Sequence, residues 1–265
     1  MRGRVLIVAG SDSGGGAGIQ ADIKAVTMQD AYAATAITAL TAQNTEGVFG
    51  VLPIPPEFVR RQIEVVLADI GADAIKTGML HDEPVIAAIA AALQEHAPDI
   101  PLVVDPVMVA KGGARLIEES AIAALKSLLI ARAAVVTPNL VEAEILAGRT
   151  IASLDEMRQA AGDLLALGCR AVLLKGGHLP GATVWDVLAT QAGVRIWQSP
   201  RLDTRHTHGT GCTLASALAA GLAQGLDVER AVERARDYVR RAIASAPGFG
   251  RGHGPLDHAH PLRQG

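Results

Sequence analysis

An unusual run of small residues, Thr207-His208-Gly209-Thr210-Gly211-Cys212-Thr213, directly precedes an apolar helical pattern. The N-terminus of a helix carries the positive end of the helix dipole, and successive backbone N–H groups there can surround an anion. The pattern therefore predicts an anion hole formed by residues 209–212. A plain helix start that contains a small buried cysteine is the alternative, and this segment alone does not decide between them.

Cys212 falls in the first turn of that predicted helix. A thiolate is favoured at such a position, so the pKa of Cys212 is expected to lie below that of free cysteine. Together with His208 it could also indicate a cysteine nucleophile. The sequence shows no third group that would orient the pair, which makes acyl chemistry the weaker interpretation.

A second glycine-rich segment, residues 10–18, follows a short apolar run and precedes another helical pattern. Small residues at a strand-to-helix turn let the backbone approach a ligand closely and direct its N–H groups at it. The dinucleotide fingerprint is excluded because Ile19 stands where its last glycine belongs, and no Gly-Lys-Ser/Thr end makes a P-loop. A tight turn that needs small residues remains possible, although such a turn does not explain the presence of Asp12.

Asp105, Glu142 and Lys175 each lie at or just after the end of an apolar, strand-like run. Carboxylates in such positions, acting directly or through water, are typical of a site for a Mg²⁺–ATP complex. Lys175 is followed by two glycines and offers a cation for nucleotide phosphates. Asn139 and Glu142 could instead cap the next helix, and the sequence leaves both interpretations open.

These residues can meet only if the elements between them form one sheet. Apolar runs of strand length alternate with segments of helical period along the chain. The predicted strands are residues 4–9, 33–40, 74–76, 102–105, 135–137 and 171–175, followed by a hairpin of 184–189 with 194–197. The predicted helices are residues 19–29, 56–68, 84–93, 120–129, 153–167, 210–223 and 227–246.

This alternation predicts an α/β fold with a mostly parallel central sheet and helices on both faces. Ligands of such sheets bind outside the carboxyl ends of the strands, where the strand order reverses. No linker rich in Pro, Gly or Ser divides the chain and no repeat of 20–50 residues is present. We therefore expect a single domain over residues 1–265.

The composition argues against several other classes of protein. The 265 residues carry a net charge of −3 and are 49% hydrophobic but only 3% aromatic, unlike a nucleic-acid-binding protein. The longest mostly apolar run, residues 85–93, is about half of the ~20 residues of a membrane-spanning helix. Residues 5–9 are too few for the apolar core of a signal peptide. Two cysteines make no disulfide framework, so we expect the chain in the cytoplasm and away from membranes.

Together, these motifs resemble the hydroxymethylpyrimidine/phosphomethylpyrimidine kinases of thiamin biosynthesis, members of the ribokinase-like superfamily. The matching segments are residues 8–12, 14–22, 39–45, 76–80, 105–108, 137–140, 142–144, 174–178, 208–213 and 252–258. They follow the order of the family and cover nearly the whole chain. Val141 replaces the proline that the family commonly has, and it touches no chemistry of the site.

The resemblance implies two successive ATP-dependent reactions in one site, with Mg²⁺ as the metal. The first converts 4-amino-5-hydroxymethyl-2-methylpyrimidine to its monophosphate, and the second makes the diphosphate. It also implies a homodimer. Sugar kinases of the superfamily have an aspartate base at the position of Cys212, which makes Cys212 the expected proton acceptor.

The resemblance also assigns residues to the parts of the site. On the substrate side it places Gln43, whose amide can pair with a ring nitrogen and the exocyclic amine, together with Ala17, Asp22, Met79 and Val107. On the nucleotide side it places Asn139, Lys175 and Thr207. It assigns Asp105 and Glu142 to magnesium, and Gly209, Thr210, Gly211 and Cys212 to the transferred phosphoryl group.

Three other functions are compatible with parts of this pattern. A pyridoxal or pyridoxine kinase would share the fold, the anion hole and a ring substrate with a hydroxymethyl group. A regulator without catalysis would bind the pyrimidine and turn over no ATP, which the intact phosphate-site residues argue against. A dehydrogenase is disfavoured by the missing dinucleotide fingerprint.

Overall fold

The structure is a computed structural model that describes residues 1–108 and 119–263. Its strands are β1 (Arg4–Ala9), β2 (Tyr32–Ile37), β3 (Ala39–Gln43), β4 (Val48–Pro53), β5 (Ala74–Thr77), β6 (Leu102–Val104), β7 (Val135–Val136), β8 (Ala171–Lys175), β9 (Thr183–Thr190) and β10 (Gly193–Pro200). Its helices are α1 (Gly18–Met28), α2 (Pro56–Asp69), α3 (Glu83–His96), α4 (Glu119–Ala124), α5 (Leu140–Ala147), α6 (Leu154–Leu165), α7 (Thr210–Ala223) and α8 (Val228–Ala244). A π-helical segment, Leu125–Leu129, and a 3-10 turn, Ile130–Arg132, continue α4, and a 3-10 turn, His260–Arg263, follows α8. Within the described ranges, no helix combines the length and the apolar character needed to span a membrane.

Eight of the described strands form one sheet in the order β10-β9-β8-β7-β6-β5-β1-β2. The neighbours from β8 to β2 pair in parallel, whereas β9 pairs antiparallel with both β8 and β10. The strand order reverses at β1, because the chain passes from β1 to β2 on one side and then to β5 on the other. Such a reversal opens a crevice at the carboxyl ends of the strands. The predicted mostly parallel α/β sheet is confirmed, and so is the hairpin of β9 and β10.

The sheet is covered on both faces. In β1, Leu6 and Val8 belong to the core layer that also contains residues of α2, α3, α5 and α6, whereas Val5, Ile7 and Ala9 belong to the layer with residues of α1, α7 and α8. Successive residues of a strand point to opposite faces, so a strand covered on both sides is a continuous apolar run. This explains the uninterrupted apolar sequence of β1 and confirms the prediction of helices on both faces.

Helix α7 lies deep in one of these layers, with all residues from Thr213 to Gly221 buried. It packs closely on α8, because a Cβ at Gly221 would lie only 2.8 Å from the Cβ of Ala231. Small residues along both helices allow this approach. The N-terminus of α7 is therefore held in place by packing on the rest of the fold.

The predicted strand over residues 33–40 is wrong in its second half, and β4 has no counterpart among the predicted elements. β2 ends and β3 begins on either side of Thr38, whose hydroxyl donates to the carbonyl of Met79 (2.7 Å). β3 then pairs antiparallel with β4 in a separate two-stranded sheet. The apolar pattern continues through Thr38, so it gives no sign that the strand ends there. The change of sheet accompanies the long-range hydrogen bond between Thr38 and Met79, which local periodicity cannot predict.

The segment after α8 returns to the start of α7. Tyr238 in α8 donates its hydroxyl to the carbonyl of His258 (2.9 Å), and Nε2 of His258 lies 2.9 Å from Oγ1 of Thr213. Closer to the start of this segment, the carbonyl of Gly254 accepts the N–H of His208 (3.1 Å). We call residues 251–263 the C-terminal tail; its contacts support the loop that precedes α7.

Candidate active site

Helix α7 begins at Thr210 without a side-chain cap, and Gly209 stands directly before it. Gly209 has a φ of 79°, and a Cβ there would lie 1.8 Å from the carbonyl oxygen of Gly16. Glycine is required at this position because the loop after β1 presses against the turn. The first N–H groups of a helix have no acceptor within it, so those of Gly211 and Cys212 are available to an anion; that this anion is the transferred phosphoryl group stays a prediction.

Cys212 lies in the first turn of α7, but the prediction of a low pKa is wrong. Burial raises the pKa of its thiol to about 12; Lys76 opposes the increase, while the carboxylates of Asp22 and Asp105 add to it. The helix dipole does not compensate, because a thiolate would have to form in a desolvated place beside two other negative charges. The thiol is therefore protonated at neutral pH.

A buried ion pair lies near that thiol. Nζ of Lys76 lies 2.9 and 3.0 Å from the carboxylate oxygens of Asp22, and Ser216 donates its hydroxyl to the same carboxylate (2.7 Å). Both charged side chains are fully buried. Burial by itself lowers the pKa of Lys76, but Asp22, Cys212 and Asp105 together outweigh burial and hold the pKa above its usual value. Asp22, expected to bind substrate, is thus placed below the surface of the site with its oxygens already bonded.

The ends of β6 and β8 bring Asp105 and Lys175 together. Oδ1 of Asp105 accepts hydrogen bonds from Nζ of Lys175 (3.0 Å) and from the hydroxyl of Thr137 (3.0 Å). Burial lowers the pKa of Lys175, but the carboxylates of Asp105 and Glu142 outweigh it, so the pKa is raised. A Cβ at Gly211 would lie 3.1 Å from this ammonium. The cation expected at the nucleotide phosphates therefore adjoins the anion hole.

Helix α5 begins with a capping box. The side chain of Asn139 accepts the N–H of Glu142 (3.0 Å), and Oε2 of Glu142 accepts the N–H of Asn139 (2.8 Å). Burial raises the pKa of Glu142 to about 7; Lys175 opposes the increase, and Asp105 adds to it. The capping interpretation is confirmed. Within residues 1–108 and 119–263 no cluster of three or more metal-binding side chains occurs, so a magnesium role for Asp105 and Glu142 stays a prediction.

Gln43 lies at the end of β3, where the register with β4 shifts. Its backbone is tied to the glycine-rich loop, because its N–H donates to Oγ of Ser13 (2.8 Å) and the Ser13 hydroxyl donates to its carbonyl (2.8 Å). Nε2 of its amide lies 3.3 Å from Nε2 of His208, although the two residues are 165 positions apart. The structure thus brings the predicted pyrimidine-reading residue to the loop that precedes the anion hole.

Two more residues of the predicted substrate side lie at the turn that follows β1. The N–H of Ala17 donates to Oδ2 of Asp12 (2.8 Å). The end of the Met79 side chain lies over Gly10, where a Cβ would come within 2.4 Å of its methyl carbon. Both residues therefore line the turn that links β1 with α1.

Val107 and Thr207 are placed through their backbones. The N–H of Val107 donates to the carbonyl of Asp105 (2.8 Å), which puts Val107 directly beyond the carboxyl end of β6. The carbonyl of Thr207 accepts the hydroxyl of Thr210 (2.8 Å) and so closes the turn before α7. Thr207 therefore supports the start of α7, and its contact with the nucleotide stays a prediction.

Sequence reasoning missed the roles of Lys76 and His208 and only noted Asp12. Asp12 accepts the N–H groups of Gly14 (2.8 Å) and Gly16 (3.1 Å), and its Oδ2 lies 2.8 Å from Nε2 of His208. An aspartate among glycines is a signal that could have identified it as an acceptor of loop N–H groups. No local signal marks Lys76, because its partner Asp22 is 54 positions away.

Comparison with known proteins gives a consistent result. The sequence model of a family described as phosphomethylpyrimidine kinase matches residues 12–257. The hydroxymethylpyrimidine/phosphomethylpyrimidine kinase of Bacillus subtilis is 47% identical over 256 residues, which are 96% of this chain and 94% of that protein. Its Escherichia coli namesake is 42% identical over 258 residues, covering 96% of this chain and 97% of that protein. The thiamine biosynthesis bifunctional protein ThiED of Geobacter sulfurreducens is 52% identical over 97% of this chain, which spans 52% of that protein's length.

Solved structures show the same fold. The ADP complex of Bacillus subtilis pyridoxal kinase has a TM-score of 0.92 at 36% identity, with 100% of both chains covered. The phosphomethylpyrimidine kinase of Clostridium difficile has a TM-score of 0.81 at 39% identity, covering 91% of this chain and 99% of that one. The pyridoxal kinase of Staphylococcus aureus in complex with AMP-PCP and pyridoxal has a TM-score of 0.91 at 33% identity, covering 100% of this chain and 96% of that one.

Proposed function

Because this chain belongs to the phosphomethylpyrimidine kinase family and has its ribokinase-like fold, we propose that it is a bifunctional kinase of thiamin diphosphate biosynthesis. It phosphorylates 4-amino-5-hydroxymethyl-2-methylpyrimidine and then the monophosphate, with ATP as the donor. The main supporting observation is that the start of α7 lies between Gln43 and the Asp105–Lys175 pair. His208, next to the anion hole, lies 3.3 Å from Gln43, and Gly211 within the hole borders Lys175.

In the first reaction the hydroxymethyl oxygen attacks the γ-phosphorus of ATP. A new O–P bond forms, the bond from the phosphorus to the oxygen of ADP breaks, and the hydroxyl proton leaves the attacking oxygen. The N–H groups at the start of α7 stabilise the charge on the transferred phosphoryl oxygens, and Lys175 holds the nucleotide phosphates. Cys212 is the proposed proton acceptor; because its thiol is protonated at neutral pH, it must first release its own proton to water, and the thiolate then takes the proton of the hydroxyl group.

In the second reaction an oxygen of the monophosphate attacks the γ-phosphorus of another ATP. A phosphate monoester has its second pKa at about 6, so this oxygen is largely ionised at neutral pH and needs no base. The same anion hole and the same lysine serve both steps. The two reactions therefore differ in their need for Cys212 and share everything else at the phosphate end.

Mg²⁺ is the proposed metal, and the residues present fit it. Both carboxylate oxygens of Asp105 lie close to the position of a Cβ at Gly211 (3.7 Å for Oδ2 and 3.9 Å for Oδ1), so the carboxylate borders the anion hole. Both hydrogen bonds of Asp105 described above fall on Oδ1. Mg²⁺ is usually bound by one or two carboxylates, several waters and substrate phosphates. Asp105 and Glu142 would hold the ion and its waters, and the ion would neutralise phosphate charge.

Pyridoxal or pyridoxine phosphorylation is the second candidate, and it is favoured by the TM-score of 0.92 to the Bacillus subtilis pyridoxal kinase. The two substrates differ in the edge that they present to Gln43. A carboxamide offers a donor beside an acceptor, which matches the ring nitrogen and the amine of the pyrimidine. A phenolic pyridine has no such pair of groups beside its hydroxymethyl carbon. The pyrimidine is therefore the preferred substrate.

The remaining proposals concern the molecule as a whole. Residues 1–265 form one domain, which acts as a homodimer. The exposed strand β4 carries Phe49, Val51 and Leu52, whose exposed fractions of 71%, 41% and 61% give it an apolar surface that a second copy could cover. Cys169 and Cys212 are free thiols, which suits the reducing cytoplasm.

A coupled assay of ADP release tests the function with three acceptors: the hydroxymethylpyrimidine, its monophosphate and pyridoxine. We expect turnover of both pyrimidines and a much lower kcat/KM for pyridoxine. Turnover of pyridoxine alone would support the second candidate. Pyrimidine binding without ADP release with any acceptor would instead indicate a regulator without catalysis.

A further inference from the structure

The buried carboxylate of Asp12 can only accept hydrogen bonds. It is 1% exposed, its Oδ1 accepts the N–H of Gly14, and its Oδ2 accepts those of Gly16 and Ala17. Burial raises the pKa of Asp12, but His208 and the backbone N–H groups together lower it by more than burial raises it. The net pKa therefore lies below its usual value. At neutral pH Asp12 is therefore ionised and has no hydrogen to donate.

His208 must then present a hydrogen on Nε2. This nitrogen lies 2.8 Å from Oδ2 of Asp12, and two acceptors at that distance would repel each other. The requirement holds whether the ring is neutral or charged. The ring is also fixed in place, because the His208 N–H donates to the carbonyl of Gly254 and a Cβ at Gly16 would lie 2.6 Å from the ring.

The hydrogen on Nε2 of His208 affects how the amide of Gln43 is oriented. In the structure Nε2 of Gln43 lies 3.3 Å from Nε2 of His208, so two donors face each other. The hydroxyl of Thr41 lies 3.3 Å from Oε1 of the amide, but it also donates to the carbonyl of Ser11 at 2.9 Å. A half turn of the amide removes the clash of donors, because Oε1 can then share the Nε2 hydrogen of His208 with Asp12 in a three-centre hydrogen bond and the nitrogen can donate to the Thr41 oxygen.

We infer that Asp12 and His208 are positioning residues that hold the Gln43 amide with its oxygen towards His208 and so determine which way round the pyrimidine binds. The inference rests on the proposed function. In the substrate the amine lies between the ring nitrogen and the carbon that bears the hydroxymethyl group. An amine that donates to Oε1 lies on the His208 side, and the neighbouring hydroxymethyl group then lies next to Gly209 and the anion hole.

The opposite amide orientation would place the donor and the acceptor in exchanged positions. To pair with it, the ring would have to turn over, which carries the hydroxymethyl group away from the start of α7. The orientation of one amide thus links recognition of the ring to the position of the reacting oxygen. This assigns Asp12 and His208 a role in selectivity for the amine, although neither has to touch the phosphates.

The test compares the normal substrate with its analogue that lacks the amine, 5-hydroxymethyl-2-methylpyrimidine. In the wild type, loss of the amine should lower kcat/KM by ~10- to 100-fold, because Oε1 loses its partner. In His208→Phe this ratio should fall by ~5- to 10-fold and KM for the pyrimidine should rise by a similar factor. KM for ATP should stay unchanged. His208→Gln, whose amide nitrogen can donate to Asp12, should restore most of the ratio.

Asp12→Ala gives a second route to the same result, since it removes the acceptor that keeps the hydrogen on Nε2 but retains the His208 ring. His253→Ala is the matched control: this exposed histidine bonds the carbonyl of Arg205 beside the same loop, and its variant should keep the wild-type ratio. Thermal unfolding identifies the variants that are folded. An unchanged ratio in a folded His208 or Asp12 variant overturns the inference, and so does an equal loss in His253→Ala. A wild type that does not turn over the pyrimidine contradicts the proposed function instead.

Discussion

The thiol of Cys212 lies where the first reaction needs a proton acceptor, but its surroundings keep it protonated. Burial is the main reason that its pKa is raised to about 12, with Asp22 and Asp105 acting in the same direction against Lys76. A base with so high a pKa is scarce as thiolate at pH 7 but a strong acceptor once formed. The position of Cys212 thus favours a role as the base of the first reaction, whereas its raised pKa argues against that role.

We expect Cys212→Ala to lower kcat of the first reaction by on the order of 10²–10⁴ and to leave the second nearly unchanged. The backbone N–H groups remain in the variant, and the monophosphate oxygen needs no base. Cys212→Asp should recover part of the first reaction, because it restores an acceptor. The measurement is kcat for both steps in both variants. An equal loss in the two steps would leave Cys212 as a structural part of the helix start.

The pH dependence of kcat provides an independent check on the same residue. If the thiolate is the base, kcat of the first reaction should rise with pH through the neutral and alkaline range, because the thiol with its pKa raised to about 12 is increasingly deprotonated. The second reaction should instead level off once the monophosphate is ionised. A first-step profile that is flat above neutral pH in the wild type would exclude the thiolate.

At the scale of the elements, the cap of α5 and the proposed magnesium site share one carboxylate. Glu142→Gln keeps the size of the side chain but removes the charge, so we expect the apparent affinity for Mg²⁺ to fall by ~10-fold or more. The free energy of unfolding should fall only by what a weakened cap costs, about 1 kcal/mol. Activity titrations with Mg²⁺ and Mn²⁺ measure the first effect, and thermal unfolding measures the second.

Helix α6 offers a matched control for this experiment. Glu156 occupies the same place in its first turn, where it accepts the N–H of Ala152 (2.7 Å) and its own N–H donates to Ser153 (3.3 Å). Glu156→Gln should therefore weaken a cap without changing the metal dependence. If Glu142→Gln behaves in the same way, capping is the whole role of Glu142.

The C-terminal tail should make the stability of the fold sensitive to acid. Burial lowers the pKa of His258 to about 4 from 6.5, so the folded state holds a neutral ring that the unfolded chain would protonate. The contribution of this ring is fully present above pH ~6.5 and is lost as the pH falls towards ~4. At pH 5 the loss is about 2 kcal/mol. Urea unfolding at pH 7 and pH 5 should show a decrease in the wild type that is smaller by about this amount in His258→Gln. Equal decreases in the two proteins would show that His258 does not titrate in this range.

For the whole molecule, the separate sheet of β3 and β4 is the surface most suited to self-association. The wild type should sediment as a dimer, and Phe49→Asp should weaken the dimer by ~30-fold or more if this face is its core. Leu262 in the tail is equally exposed at 72%, so Leu262→Asp is the control and should leave the dimer intact. A monomeric wild type, or a dimer that tolerates Phe49→Asp, would contradict the proposal.

Much of the fold and part of the site follow from the sequence alone. The apolar run of β1 indicates a strand covered on both faces, and the predicted helix over residues 210–223 coincides with α7. Both depend on interactions between residues close in sequence, such as side-chain periodicity and the backbone requirements of a helix start. The glycine-rich turns, Asp105 and Lys175 could be assigned to one edge of the sheet for the same reason, since parallel strands end together.

The tertiary structure alone decided the remaining features, each of which depends on groups far apart in the chain. Thr38 ends β2 through a bond to Met79, 41 positions away, which local periodicity cannot contain. The pKa of Cys212 is set by burial and by charges that other strands and helices bring to it, against the local preference of a helix N-terminus. The contact between His208 and Gln43 joins the substrate side to the phosphate side and exists only once β3 has left the main sheet. Sequence pattern records which residues are present at each turn, whereas the desolvation and the neighbours of a side chain are properties of the packed molecule.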